Sequence, residues 1–293
     1  EAEANLRKAI ALVEAHTHAG PIGRSTLYTS LAFAVDMQGR LAEGEPLIRK
    51  ALAIQQAALP PASPLIAENY QNLGWSLQAQ GKFVEAEAAI RNSLRLRETH
   101  MKPGDPGLGS GYEALASILS SQGRNEEADA LYRRVLALRE AERPQNAERL
   151  AFAYSNLGIN LNEMRRFREA EPLLRKAIEI GERAMPADHP ELGILYENLA
   201  DTISSLGRFA EAEPFHRKAL AVRQKGLPPT HPLIAAAMLT LAANLESQER
   251  TAEAEPLMRR ARAITEQLEP SHPNRINGNW TLAALLRKRD RSP

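Results

Sequence analysis

The sequence predicts an all-α protein, a solenoid of stacked helical hairpins, and three observations carry that expectation. The pattern GRFAEAEPFHRKAL at 207 to 220 recurs from Gly39, Gly81, Gly123, Arg165 and Glu249, a step of 42 residues with no slippage. A fixed period of this size is the mark of a repeat array whose units bury their apolar faces against their neighbours. Each period holds two segments with apolar residues at helical spacing, and proline-rich links separate one period from the next.

The first segment of each unit, helix A, reads YQNLGWSLQAQG (70 to 81), YEALASILSSQG (112 to 123), YSNLGINLNEMR (154 to 165) and YENLADTISSLG (196 to 207). Tyr196, Leu199 and Ile203 stand at i, i+3 and i+7, the apolar stripe of a helix. A small residue follows the leucine in every copy (Ala32, Gly74, Ala116, Gly158, Ala200, Ala242 and Ala283), which predicts close approach of two helices there. Helix B follows the anchor. Its small residue (Gly44, Ala86, Ala128, Ala170, Ala212, Ala254) precedes a larger one by four positions (Ile48, Ile90, Tyr132, Leu174, His216, Met258). Neither stripe can be buried by its own helix, so stacking is what makes a core.

Gly39, Gly81, Gly123 and Gly207 fall where a helix C-cap takes a left-handed residue. Arg165 and Glu249 replace them in two copies; keeping the geometry there implies about 1 kcal/mol of strain each. Pro46, Pro172, Pro214 and Pro256 fall about one turn into helix B, which fits if their N–H groups would have lacked helical acceptors. In the links, Asp188, Thr230 and Ser271 precede His-Pro steps and are the expected helix caps. The link at 143 to 146 departs from the pattern, and from Thr281-Leu282-Ala283 onward the register runs one residue early. The expected organisation is one array over 1–293: a lone helix B at 1–18, six A–B hairpins over 22–267, a terminal helix A at 274–289 and a tail at 290–293. Because residues 1 to 10 align with 43 to 52, the chain starts in mid-unit, which predicts a piece or processed form of something longer.

Composition narrows function by exclusion. Of 293 residues, 37 are basic and 36 acidic, a balance without the general attraction to nucleic acid or anionic membranes that a basic surface provides. With no cysteine, thiolate zinc sites, disulfides and cysteine nucleophiles are ruled out. The N-terminus lacks the basic start and apolar core of a signal peptide, and the longest apolar-rich run, Leu233 to Leu245, is too short to span a bilayer. A cytoplasmic location is the simplest expectation.

The aromatic-x-x-Leu-Gly/Ala first helix, the turn glycine and the Ala-x-x-x-large-x-x-Ala second helix resemble the tetratricopeptide repeat (TPR). One copy fills the series with Tyr70, Leu73, Gly74, Leu77, Gly81, Phe83, Ala86, Ile90 and Ser93. The usual unit has 34 residues, and the 42-residue unit with His-Pro links looks like the kinesin light chain class. The resemblance implies a right-handed superhelix with a concave wall of A helices that binds an extended peptide or a partner's helix. Similar bacterial arrays are joined to CHAT proteases or signalling ATPases, so a regulatory segment of a larger enzyme is the alternative.

No residue constellation points to catalysis. The acids of helix B, such as Glu211 and Glu213, lie two apart and do not face each other; the second has an arginine four residues on, a surface pair of roughly 0.2–0.5 kcal/mol. They read as a solvated outer face. His189, His231 and His272 are one per unit, His16 and His18 lie near the first link, and His216 takes a core site, so no metal site is expected. The glycines form no phosphate loop, and no cofactor is expected. The resemblance leaves the inner wall as the site. Asn72, Asn156 and Asn198 precede the core leucine and, as in resembling proteins, are expected to point into the groove, where an amide can both donate to and accept from a peptide backbone. Gln71, Ser155 and Glu197 before them, and Asn162 further on, are expected to share that wall. Trp75, two after Leu73, is expected to project inward as an anchor. The partner is expected to be a protein or peptide, with self-association possible, and neither nucleic acid nor membrane. The wall carries little positive charge, which disfavours a partner clamped by its C-terminal carboxylate.

Overall fold

A computed structural model describes residues 2–15, 20–102 and 104–267. The expectations for His16, His18, Ser271, His272, the helix at 274–289 and the tail fall outside these residues. Among the described residues there are thirteen α-helices and no strand: α1 (Ala2–Ala15), α2 (Pro21–Asp36), α3 (Leu41–Ala58), α4 (Pro64–Ala79), α5 (Phe83–Glu98), α6 (Gly109–Ser121), α7 (Asn125–Ala141), α8 (Ala147–Glu163), α9 (Phe167–Ala184), α10 (Pro190–Ser205), α11 (Phe209–Gly226), α12 (Pro232–Ser247) and α13 (Thr251–Thr265). A single 3-10 turn, Pro106–Leu108, leads into α6.

The chain divides into two compact units, Glu1–Glu142 and Arg143–Pro293, at the link whose sequence departs from the pattern. In the first unit α1 packs on α2, and the hairpins α2–α3, α4–α5 and α6–α7 stack in order. In the second, α8–α9, α10–α11 and α12–α13 do the same. In both, the A helix of one hairpin also touches the A helix of the next, α4 with α6 and α8 with α10.

The stripes read from sequence are the core. Leu31, Leu73, Leu115, Leu157, Leu199 and Leu241 are all buried, as are Ala86, Ala128, Ala170, Ala212 and Ala254 opposite them. Helix contact at the small residues is close: a Cβ on Gly74 would lie 2.5 Å from Ile90 Cδ1, and one on Gly158 2.7 Å from Leu174 Cγ.

The A-to-B turn has one geometry throughout. Gly39, Gly81, Gly123 and Gly207 have φ between 74° and 77°, and Arg165 and Glu249 keep the left-handed conformation at 58° and 63°. In each, the residue after the turn donates its N–H to a carbonyl five back, Lys82 to Leu77 at 2.9 Å and Arg166 to Leu161 at 2.8 Å, the closing bond of a Schellman cap. Leu161 and Leu245, whose carbonyls accept these bonds in the two non-glycine copies, are both buried, as their counterparts Leu77 and Leu119 are.

Two local expectations are corrected. The caps of α10 and α12 are His189 and His231, whose Nδ1 atoms accept from the N–H of Glu191 and Leu233 at 3.4 and 3.2 Å; Asp188 and Thr230 stand one residue too early. Pro46, Pro172, Pro214 and Pro256 are the sixth residues of α3, α9, α11 and α13, past the four N–H groups that lack helical acceptors. Each therefore removes one helical bond. The carbonyls left over belong to Ala42, Arg168, Ala210 and Ala252, all exposed residues.

The outer acids divide into two sorts. The first of each pair is exposed and, where an arginine stands at the helix start, bonds it, as Glu127 does with Arg124 at 2.6 Å and Glu169 with Arg166 at 2.6 Å; Glu85, whose helix starts after Lys82, pairs with Arg49 at 2.9 Å instead. The second is shielded in the pairs named next, while Glu255 stays 40% accessible. Glu45, Glu87, Glu171 and Glu213 keep 12–15% of their side chains accessible. Each is held by the arginine four residues on and by the base that opens the next B helix: Lys82 with Glu45 at 2.7 Å, Arg124 with Glu87 at 2.8 Å, Arg208 with Glu171 at 2.7 Å, and Arg250 with Glu213. Burial pushes the Glu171 and Glu213 carboxyls up, but their arginines outweigh it and hold both below the usual range. These acids clasp successive hairpins.

Candidate peptide groove

The A helices present one face to the hairpin core and another away from it, and the residues on the second face repeat every 42 positions. One such column holds Phe33, Trp75, Ser117, Ile159, Asp201 and Ala243. In the first unit, Phe33 on α2 and Trp75 on α4 border one groove of about 500 Å3, with Ser30, Asn72 and Asp36 beside them and Leu41 and Ile48 of α3 as its floor. Phe33 is 68% exposed and Trp75 49%, so two large apolar side chains stand in water over an open cleft.

The structure brings only part of the expected wall to this surface. Asn72 is half-buried and lines the groove with Trp75. Gln71 and Ser155 do not share the wall's surface, because both are buried. Gln71 Oε1 accepts from Arg97 Nη2, and Ser155 Oγ accepts from Asn198 Nδ2 at 3.2 Å. One residue before the groove position is a rotation of about 100° round the helix, which turns these side chains into the seam between hairpins.

In the second unit the wall is a polar lattice. Asn198 on α10 reaches Ser155 on α8, Asn162 Nδ2 donates to Thr202 Oγ1 at 2.7 Å, and the Thr202 hydroxyl donates to the Asn198 carbonyl at 2.7 Å. Asn156 is half-buried and bonded within the protein. Glu197 is half-buried and paired with Arg223 of α11, whose Nη1 also donates to the Leu233 carbonyl at 3.0 Å. Burial raises the Glu197 carboxyl more than Arg223 lowers it. Asp201, one turn on, keeps surface accessible to water. The protein crowded around it and then the Glu197 charge nevertheless push its carboxyl up to about 7, against the pull of Arg223.

Phe33, Asp36 and Asp201 are wall residues that the sequence reading passed over. Stepping one period back and three forward from Trp75 would have found the first and the last. His216 is a core residue with Nε2 3.3 Å from Ser204 Oγ, and burial pushes it down to about 4. Among the described residues, no group of three or more His, Asp or Glu is placed to hold a metal ion, and no helix is long and apolar enough to cross a membrane.

Repeated hairpins whose A helices carry equivalent side chains 42 residues apart define a helical repeat protein. The sequence signature of the tetratricopeptide repeat matches residues 23–99, 107–183, 149–225 and 191–267. The chain belongs to the tetratricopeptide repeat family, and that fold supports a role in protein interaction. Similar solved structures include BtubC (BKLC) from P. vanneervenii, at 23% identity over 80% of this chain and 93% of that one, with a TM-score of 0.65. PilW, a type IV pilus biogenesis factor, is 17% identical over 89% of this chain and 98% of its own, with a TM-score of 0.63. Nearly identical TPR-like repeats of a putative kinesin light chain from Podosopora anserina are 20% identical over 86% and 99%, with a TM-score of 0.42. No curated protein is significantly similar in sequence.

Proposed function

We propose that the protein is a non-catalytic scaffold that recognises an extended segment or a helix of a protein partner on the face formed by its A helices. One observation carries this reading: an open groove in the first unit with Trp75 and Phe33 standing exposed above Asn72. Exposed large aromatics beside a convergent polar group are the usual composition of a binding hot spot. The second unit adds polar recognition through Asn198, Asn162 and the Glu197–Asp201 turn. The side chains of Asn162 and Asn198 are already engaged within the wall, so a ligand there meets fixed rather than free amides.

The experiment is capture of partners by the whole chain, with the same capture on Trp75→Ala and Asn72→Ala. Trp75 is half exposed, so its loss is expected to leave helical circular dichroism unchanged and weaken partner binding about tenfold or more, the scale of a hot-spot residue. Full retention of affinity in both variants would move recognition to the outer face or the links.

A further inference from the structure

The groove of the first unit is bordered by an acid. Asp36 borders it, half-buried, and its Oδ1 is closed off from water with no hydrogen-bond partner. The equivalent positions one period apart are Gln78, Ser120, Asn162, Ser204 and Glu246, and Glu246 is likewise buried with an unpartnered Oε1; what sets Asp36 apart is the residue it faces. Helix B has changed with it: Gly44 stands where the other copies have alanine, and a Cβ there would lie 1.8 Å from Asp36 Oδ1. The missing methyl is what gives the carboxylate its seat. A buried carboxylate oxygen without a partner costs free energy, so a native structure that keeps one invites a reason. Loss of water pushes the Asp36 carboxyl up against the pull of the Ser76 hydroxyl beside it, and no counter-charge offsets the burial. None of the residues lining the groove is basic. Phe33 and Trp75 meanwhile offer exposed aromatic surface, which attracts cations to its faces.

We propose that this groove takes the side chain of an arginine or lysine from a basic peptide segment, with its methylene stem along Phe33 and Trp75 and its charge toward Asp36. The proposal rests on the reading of the A-helix face as the binding face and names what the first unit binds there. An apolar side chain would fill the cleft but leave the carboxylate unpaired, and an acidic one would be repelled by it. A cation on an alkyl stem matches both the apolar walls and the charge. Gly44 and Asp36 act as a pair, one providing room for the other.

The test uses the full chain carrying Trp280→Phe, which leaves Trp75 as its one fluorescent indole. Nα-acetyl-arginine amide is titrated against its neutral isostere Nα-acetyl-citrulline amide. A saturable change in Trp75 emission is expected for the arginine compound, with binding at least tenfold weaker for the citrulline compound and in Asp36→Asn. Phe33→Ala, at an exposed position, is expected to weaken binding at least threefold and carries the test if Asp36→Asn alters the melting curve. Equal binding of the two compounds, no saturable response to arginine, or unchanged affinity in both variants would overturn the proposal. Selection of random twelve-residue peptides on the chain separates this from the wider reading. Enriched peptides without basic residues that lose binding in Trp75→Ala would retire the cation and keep the groove. Enriched peptides indifferent to Trp75→Ala and Asn72→Ala would retire both.

Discussion

Arg165→Gly is expected to stabilise the second unit. Arg165 holds φ at 58° in the turn between α8 and α9, a conformation that glycine adopts at 77° in the equivalent turn at 207. A side chain in that region costs roughly 1–2 kcal/mol. Glycine adds conformational freedom to the unfolded chain, which takes back about 0.4–1 kcal/mol. The Arg165 side chain is exposed, so little packing is lost with it. The net expectation is a gain of about 0.5–1 kcal/mol, with the reverse change, Gly207→Arg, losing about the same amount. Urea unfolding followed by far-UV circular dichroism is the assay, read as the shift in midpoint at unchanged slope. Because each hairpin contacts only its neighbours, the effect should also be local, visible as slower hydrogen exchange of amides in α8 and α9. A loss of stability in Arg165→Gly, or a neutral Gly207→Arg, would show that the two turns are not equivalent and that strain is absent at 165.

Leu199→Ala and Leu73→Ala remove side chains that are 1% and 4% exposed, and each is expected to cost on the order of 2–5 kcal/mol; melting temperatures within noise of the parent would refute their place in the seam. His216 binds its proton near pH 6.5 when unfolded and near pH 4 when folded, so the unfolded chain holds more protons between these values and stability falls as pH drops from about 6.5 to about 4. His216→Met is expected to remove that slope, and urea midpoints at pH 7 and pH 4.5 measure it. Glu213→Gln breaks the clasp to Arg217 and Arg250, both well exposed; a loss below about 1 kcal/mol that shrinks in high salt is expected.

Much of this architecture could be read from spacing alone, because a 42-residue period repeats each structural role often enough to expose it. The turn at Arg165 and Glu249 is an example: the other copies identify the position as left-handed, and the structure keeps it so. Roles set by one residue's local geometry were harder to read. Asp188 and Thr230 have the chemistry of caps, yet the helix begins one residue later and the His189 and His231 rings take the task. The wall was half legible. Asn72 follows from the resemblance to the repeat family and Trp75 from its position two after Leu73, whereas Gln71 and Ser155 differ from groove positions only by a rotation that linear spacing does not display. Phe33 lay one period back from Trp75 and could have been found by that step, whereas Asp36 sits in a column whose chemistry changes from copy to copy, so periodicity gave no signal there. Asp36 becomes visible only when Gly44 is placed against it.

The acid that reaches from one B helix to the base opening the next belongs equally to both, and in each clasp named above its partner stands 37 residues downstream, as Lys82 does from Glu45 and Arg208 from Glu171. A whole period inserted between two hairpins would meet a matching charge at each end, so such a protein can lengthen or shorten without any new joint being invented. An insertion of any other size would leave a shielded carboxylate facing the wrong neighbour, and the array should reject it.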